Sequence, residues 1–184
     1  MNRIDCLLKN YERWVGLPWN QSLASSQRVW FVVYDKNDER RMRLRVEDFG
    51  TATQQARHGW HLCDLSNAFA EWMAAQEYRE AYFAAPDDLD DACSEFLDYC
   101  AERIRAVLDS ADADSVIALE GIAHLFDFIK TSALIEKVHD AAKGRLLVFF
   151  PGEYDKNTYR LLDARDGWDY LAIPITASDG VYDT

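Results

Sequence analysis

Four acidic side chains follow predicted strands and are the first candidates for chemistry: Asp35, Asp64, Glu120 and Glu153. The carboxyl ends of parallel strands meet at one edge of a sheet, where open α/β sheets bind their ligands. Carboxylates gathered there can hold Mg²⁺ or carry out acid–base chemistry. Alternatively, Asp35 caps a helix, Asp64 lies in a turn, and the glutamates are solvated or paired with arginines. No histidine accompanies the acids in the pattern, so we favour this structural interpretation and expect no catalytic residue, metal or cofactor.

The motifs that usually bind phosphate or activate a serine are missing from the sequence. It contains no GxGxxG, no GxxxxGK[ST] and no GxSxG. The nearest fragment is Lys130-Thr131-Ser132, which follows Asp127-Phe128-Ile129 and not a run of glycines. Such a backbone cannot close around a phosphate as a glycine-rich loop does. We therefore expect Thr131 or Ser132 to cap a helix, and we disfavour a nucleotide role for this fragment.

One cluster of basic residues interrupts an acidic sequence, and its members are Arg40, Arg41, Arg43 and Arg45. We call it the arginine patch. It can dock an acidic partner or contact nucleic acid. It can equally be a solvated face whose charges are paired with neighbouring acids such as Glu39, Glu47 and Asp48. The sequence leaves these two interpretations open.

A second candidate surface is the aromatic segment 69–83, which reads FAEWMAAQEYREAYF. One helical face cannot bury all of its large side chains, and exposed aromatic residues are typical of protein interfaces. The alternative is that the next helix covers them. The candidate partner-binding residues in this segment are Phe69, Trp72, Tyr78, Tyr82 and Phe83.

The elements that must position these residues indicate an α/β protein. The apolar run Leu146–Phe150 stops at Pro151-Gly152, which is typical of a strand buried on both faces of a parallel sheet. Two more strand-like runs follow at Tyr159–Leu162 and Tyr170–Ile175. The pattern alternates as α-β-α-β-α-α-β-α-β-β-β, which predicts a largely parallel sheet of about five or six strands flanked by helices. The order of these strands and helices is Rossmann-like or P-loop-like without a phosphate-binding loop. The last strands are joined by short loops, which predict an antiparallel edge near the C-terminus.

Length and composition set further bounds. The chain has 184 residues, and we expect a single α/β domain over 1–184, with an N-terminal helix at 3–15 and a frayed tail at 178–184. A net charge of −12 disfavours free duplex DNA as the main ligand. The four cysteines lack zinc spacing and predict reduced thiols. Without a signal peptide or a membrane-length apolar run, we expect a cytoplasmic protein with no membrane contact.

Four segments of the sequence together resemble the BrxB family. They read RIDCLLKNYERWVGLPW, QRVWFVVYDKNDERRMR, HGWHLCDLSNAFAEWMA and LLVFFPGEYDKNTYRLLDARDGWDYLAIPIT. The resemblance covers residues from about Asn2 to Thr176. The most specific string is FFPGEY followed by YRLLDARDGW, although no single motif is diagnostic of a reaction.

The resemblance implies a component of a BREX bacteriophage-resistance system. Such systems combine a DNA methyltransferase, a large ATPase, an alkaline-phosphatase-like protein named PglZ and smaller proteins. BrxB-like proteins are expected to be non-catalytic, so the resemblance implies an adaptor or scaffold that binds PglZ, alongside other BREX components. Self-association into a homo-oligomer is a separate expectation. The alternatives are a metal-dependent hydrolase or nuclease that uses the strand-end carboxylates, and a subunit that contacts nucleic acid through the arginine patch.

Overall fold

The computed structural model describes residues 2–165 and 167–178, and its centre is a seven-stranded sheet with helices on both faces. The strands are β1 (Val29–Tyr34), β2 (Gly59–Asp64), β3 (Ser115–Glu120), β4 (Arg145–Asp155), β5 (Thr158–Leu161), β6 (Trp168–Asp169) and β7 (Ile173–Ile175). The helices are α1 (Arg3–Val15), α2 (Glu39–Arg43), α3 (Val46–Gln55), α4 (Ala68–Ala74), α5 (Arg79–Ala84), α6 (Leu89–Ser110) and α7 (Thr131–Val138). Five strands are parallel, in the order β2-β3-β4-β1-β7. The predicted α/β class with a largely parallel sheet is confirmed.

The central strands are buried on both faces. β1 and β3 are buried throughout, and β4 is buried up to Pro151. Within β4, Leu146, Val148 and Phe150 belong to one core, whereas Leu147 and Phe149 belong to the other. Because both sets of side chains leave water, the strand appears in the sequence as an unbroken apolar run and not as an alternating pattern.

The two faces of the sheet carry separate cores. Tyr11 of α1 and Phe49 of α3 pack on one face, and the centroids of their rings lie 5.1 Å apart. Phe96 of α6 and Leu134 of α7 pack on the other face. Burial of each such side chain contributes about 1.5–3 kcal/mol, so the helices are held mainly by these apolar contacts.

The connections that leave β1 and β4 run to opposite faces of the sheet. β1 leads into α2 and α3, on the face that α1 covers. β4 leads into β5 and β6, whose Tyr159 and Trp168 pack with the core on the other face. Neighbouring strands with opposite connections open a cleft at their carboxyl ends. This cleft has a volume of about 620 Å³, and Asp35 and Glu153 line it.

The antiparallel strands predicted near the C-terminus are confirmed. β5 pairs with residues 152–155 of β4, and β6 pairs with β5, so they extend β4 beyond the parallel sheet. Only Ile173–Ile175 of the predicted run Tyr170–Ile175 is a strand, and this strand is parallel to β1. Pro174 lies in it and cannot donate a backbone hydrogen bond, which suits an outer strand.

Helix boundaries agree with the sequence in one place and differ in another. The predicted N-terminal helix at 3–15 is α1, and Asn2 caps it by accepting a hydrogen bond from the Asp5 N–H at 2.9 Å. The prediction that Thr131 or Ser132 caps α7 is wrong. The N-cap position belongs to Lys130, and no side chain within the described ranges caps this helix. The reason is a shift of one residue, because Thr131 is already helical.

The cysteines, the helix lengths and the C-terminal tail were also subjects of sequence predictions. All four cysteines are free. Among residues 2–165 and 167–178, no helix combines the length and apolar character needed to cross a bilayer. The predicted frayed tail lies outside the described residues, apart from Ser178.

Candidate functional site

Asp64 and Glu120 come together at the carboxyl edge of the sheet. They end β2 and β3, and the parallel register pairs them directly. The Ser66 N–H and hydroxyl donate to one Asp64 oxygen at 2.8 and 2.5 Å. Burial alone would raise the pKa of Asp64, but the Ser66 hydrogen bonds and the Arg43 charge outweigh it, so this pKa lies below its ordinary value. Asp64 is therefore ionised at neutral pH and held in a turn.

Glu120 has the opposite environment. Its residue is 9% exposed, and no side chain or backbone group in the described chain donates a hydrogen bond to its carboxylate. Burial raises the pKa of Glu120, the neighbouring Asp64 raises it further, and Arg43 opposes both. A buried carboxyl beside an ionised one can hold a proton, which is a property of many acid–base sites.

A tyrosine and a second glutamate complete this cluster. The hydroxyl of Tyr34, the last residue of β1, donates to Glu39 at 2.5 Å. Burial raises the pKa of Tyr34 well above its usual range, and the charges of Glu39 and Glu120 raise it further. We call Tyr34, Glu39, Arg43, Asp64 and Glu120 the edge cluster. Sequence reasoning missed Tyr34 and Glu39, because their positions at the end of a strand and the start of a short helix carry no chemical motif.

Asp35 and Glu153 do not join the edge cluster. Asp35 caps the turn that follows β1, where its carboxylate accepts from the Asn37 N–H at 2.8 Å. The Asn37 hydrogen bond lowers the pKa of Asp35. Glu153 is exposed, and an oxygen of its carboxylate lies 4.0 Å from the guanidinium of Arg160 on β5. The four predicted acids thus form two pairs in separate places.

Neither pair of acids belongs to a larger group of potential metal ligands in the described chain. Within the described ranges, 2–165 and 167–178, no group of three or more His, Cys, Asp or Glu side chains is arranged to hold a metal ion. Mg²⁺ can be bound through one or two carboxylates when waters or substrate phosphates complete its shell. The metal-dependent hydrolase therefore stays a prediction that depends on Asp64 and Glu120 alone.

The arginine patch is largely paired with carboxylates. Arg41 lies 3.4 Å from Asp38, and Arg43 lies 3.8 Å from Asp64. Arg45 pairs with Asp48 and, at 2.9 Å, with Asp5 of α1. Arg40 is exposed and forms no ion pair within the described chain. The arrangement resembles a neutralised face more than a free cationic surface.

The aromatic segment divides into a buried part and an exposed part. Trp72 is buried, and Phe69 stacks on Phe128 with ring centroids 4.0 Å apart. Tyr82 packs against the same core. Tyr78 is 69% exposed and Phe83 is 64% exposed. The sequence could not separate these groups, because the helix predicted to contain them is broken between Ala74 and Arg79.

A glycine sets the geometry beneath the edge cluster. Gly121 follows Glu120 and has a φ of +83°. A Cβ at this position would lie 2.4 Å from the backbone nitrogen of Ser66. Only glycine allows the chain leaving β3 to pass so close to the turn that holds Asp64.

Comparison with known proteins identifies a family. No curated protein and no solved structure matches the chain. A family model described as "BREX protein BrxB" matches residues 64–175, which is more than half of the chain. The matched range includes Asp64, Glu120, the aromatic segment and the strands from β3 to β7. The chain therefore belongs to the BrxB family and is a component of a BREX phage-defence system.

Proposed function

We propose that this chain is a non-catalytic adaptor that binds the PglZ-like protein of its BREX system. The observation that supports the proposal is the exposure of α5. This helix has no buried residue, and it carries or adjoins the exposed side chains of Tyr78 and Phe83. Aromatic residues are enriched at protein interfaces, where they bury a large area at a low entropic cost.

The surroundings of α5 define the chemistry of the partner surface. Tyr82, between Tyr78 and Phe83, packs against the core and fixes α5 on the body of the protein. Four exposed aspartates follow α5: Asp87, Asp88, Asp90 and Asp91. We call Tyr78, Phe83 and these aspartates the α5 surface. Apolar rings beside a carboxylate rim fit a partner with an apolar groove and basic residues around it.

The adaptor proposal is tested by co-purification of the chain with PglZ from the same system. We expect the wild-type chain to associate with PglZ and the double variant Tyr78→Ser/Phe83→Ser to bind at least about tenfold more weakly, because interface aromatics often contribute more than 1.4 kcal/mol each. Both side chains are exposed, so the variant should fold normally.

The matched control for this experiment is Leu44→Ser. Leu44 is 79% exposed, and it adjoins α2, whose Met42 packs in the core on the opposite face of the sheet. This variant should bind PglZ like the wild type. A wild-type chain that fails to associate would contradict the adaptor role, whereas undiminished binding by the double variant would contradict the α5 surface.

A second candidate function rests on Glu120. A carboxyl with a raised pKa beside an ionised carboxylate is an arrangement that general acid–base catalysis uses. This favours the hydrolase alternative over the nucleic-acid alternative, because the arginines that would contact phosphates are mostly paired with acids. The hydrolase alternative requires divalent-metal binding at Asp64 and Glu120.

A further inference from the structure

β2 is the outer strand at one end of the sheet, and no strand lies on its far side within residues 2–165 and 167–178. The outer strand at the opposite end, β7, has only three residues, and its Pro174 cannot donate a backbone hydrogen bond. β2 has six residues and no proline, so it presents a longer row of backbone groups. Natural proteins usually cover, shorten or charge such an edge, because it can pair with another strand.

The backbone of β2 is hydrogen-bonded to β3 through every second residue. The Gly59 N–H donates to the carbonyl oxygen of Asp114 at 3.1 Å, so Gly59 and the alternate residues after it face β3. The N–H and C=O groups of Trp60 and Leu62 therefore point away from β3. None of these four groups has a hydrogen-bond partner among the described residues. The outer edge of β2 is thus ready to pair with another strand.

The residues of β2 are also more exposed than those of the inner strands. β1 and β3 are buried at every position, whereas Cys63 is the one buried residue of β2. Trp60, His61 and Leu62 are partly exposed, and Trp60 and Leu62 pack against the core that α1 covers. No Asp, Glu, Lys or Arg lies between Gly59 and Cys63, so this edge lacks the charges that usually keep a second strand away.

The two ends of β2 carry opposite charges. Arg57, two residues before the strand, is exposed and forms no ion pair within the described chain. Asp64 is the last residue of the strand, and its carboxylate is partly exposed. A parallel second copy of β2 would bring like charges together, whereas an antiparallel copy brings each Arg57 towards the Asp64 of the other copy. The charge pattern therefore selects a second copy of this chain in the antiparallel direction.

We propose that two copies of this chain associate through their β2 edges, as antiparallel strands related by a two-fold axis at His61. Trp60 of each copy then lies opposite Leu62 of the other, and each such pair exchanges two hydrogen bonds, which satisfies all the outward groups of both residues. The Trp60 and Leu62 side chains meet on one face of the joined sheet. Such a self-complementary contact closes as a dimer.

The negative charge of the chain permits this contact. Each copy carries a net charge of −12, which opposes association at low salt. Asp64 is three residues from the axis, so at about 3.4 Å per residue the two Asp64 residues are separated by roughly 20 Å. This separation exceeds the screening length of about 8 Å at physiological ionic strength. The contact uses no residue of the α5 surface, so it can be tested without PglZ.

The test is analytical ultracentrifugation of the full chain between about 1 and 100 µM at physiological salt, the range that resolves a dissociation constant of about 10 µM. We expect the wild type to show a monomer–dimer equilibrium. Leu62→Lys places a charge on each side of the axis and should weaken the dimer at least about tenfold. Arg57→Glu places like charges together and should weaken it severalfold. The matched control is Leu171→Lys, because Leu171 is 75% exposed and precedes β7 at the other end of the sheet, and it should leave the dimer unchanged.

A cysteine at the axis tests the register. Directly opposite residues of a non-hydrogen-bonded antiparallel pair have Cα atoms about 4.5 Å apart, which a disulfide can span. His61→Cys should therefore form a covalent dimer when oxidised glutathione is added, as seen by electrophoresis without reductant. Glu12→Cys, exposed on α1, should cross-link no more than the wild type does.

A wild-type chain that stays monomeric up to about 100 µM would overturn the proposal. Cross-linking of His61→Cys no faster than that of Glu12→Cys would also overturn it. Thermal melts show whether Leu62→Lys and Arg57→Glu are folded. If both are folded and dimerise like the wild type, the β2 edge is not the interface.

Discussion

Asp64 and Glu120 are direct register partners at the ends of β2 and β3, yet the pKa values of their carboxyls move in opposite directions. Asp64 has the two hydrogen bonds from Ser66, whereas Glu120 has none from the described chain and is more buried. The turn after β2 therefore stabilises one charge and, through that charge, destabilises the other. This asymmetry is the main electrostatic feature of the edge cluster.

The substitution Glu120→Gln should raise the melting temperature at pH 7. A carboxyl whose pKa is raised by folding stabilises the protein fully below its unfolded pKa, and this stabilisation is lost as the pH rises through the folded pKa. As the pH rises, the wild-type carboxyl must ionise in a buried place beside the Asp64 charge, whereas glutamine never ionises. Thermal melts of both proteins from pH 4 to pH 8 measure the difference, which should shrink below the ordinary glutamate pKa of 4.5.

The control for that comparison is Glu153→Gln. Glu153 is exposed and only 4.0 Å from Arg160, so its replacement should change the free energy of unfolding by less than about 0.5 kcal/mol. A Glu120→Gln variant that melts below the wild type at pH 7 would show that Glu120 makes a favourable interaction as an anion.

Mg²⁺ and Mn²⁺ should leave the melting temperature unchanged at millimolar concentration. The edge cluster offers only two strand-end carboxylates, Arg43 already neutralises part of their charge, and Glu120 resists ionisation. Ligand binding to the folded state would raise the melting temperature, so differential scanning fluorimetry is a direct measurement. If either ion raised it, and Glu120→Gln abolished the rise, the hydrolase alternative would replace the adaptor.

Replacement of Gly121 by alanine should destabilise the protein by about 2 kcal/mol or more, because a positive φ and a steric overlap add together. The overlap is with the Ser66 backbone nitrogen, 2.4 Å from the added Cβ. Gly121→Asn separates the two causes. Asparagine tolerates a positive φ better than alanine does, so a much milder effect of Gly121→Asn in denaturant melts would refute the steric explanation.

The arginine patch should contribute little to duplex DNA binding. Because Arg41 and Arg43 are paired with Asp38 and Asp64, Arg41→Ala/Arg43→Ala should leave the salt dependence of any weak DNA binding unchanged. Each phosphate contact that is lost would reduce the slope of log K against log salt by about 1. Fluorescence anisotropy at several salt concentrations measures this slope, and a reduction of about 2 in the double variant would favour the nucleic-acid alternative.

Much of the fold is predictable because its signals are local. The run Leu146–Phe150 is apolar at every position, which identifies a strand buried on both faces before any partner is known. The missing glycine-rich loop and the acid after each strand are likewise readable from adjacent residues. The α1 boundaries at 3–15 follow from the helical spacing of Ile4, Leu7 and Tyr11.

The edge cluster depends on information that no local pattern contains. All four acids end up near one edge of the sheet, but only the strand order decides that Asp64 adjoins Glu120 while Asp35 and Glu153 line another cleft. The contact of Tyr34 with Glu39 depends on the tight turn after β1.

The exposure of residues in the aromatic segment likewise depends on the tertiary structure. Its composition predicts that some rings are exposed, and a break in the helix decides which ones. Phe69 and Trp72 lie before the break and pack with α6, whereas Tyr78 and Phe83 lie after it and face water. The sequence by itself determined the α/β class and the family, because periodicity and recognisable strings are properties of neighbouring residues. The tertiary structure decided which acids and which rings act together, because those contacts join residues that are far apart in the chain and depend on the packing of the whole sheet.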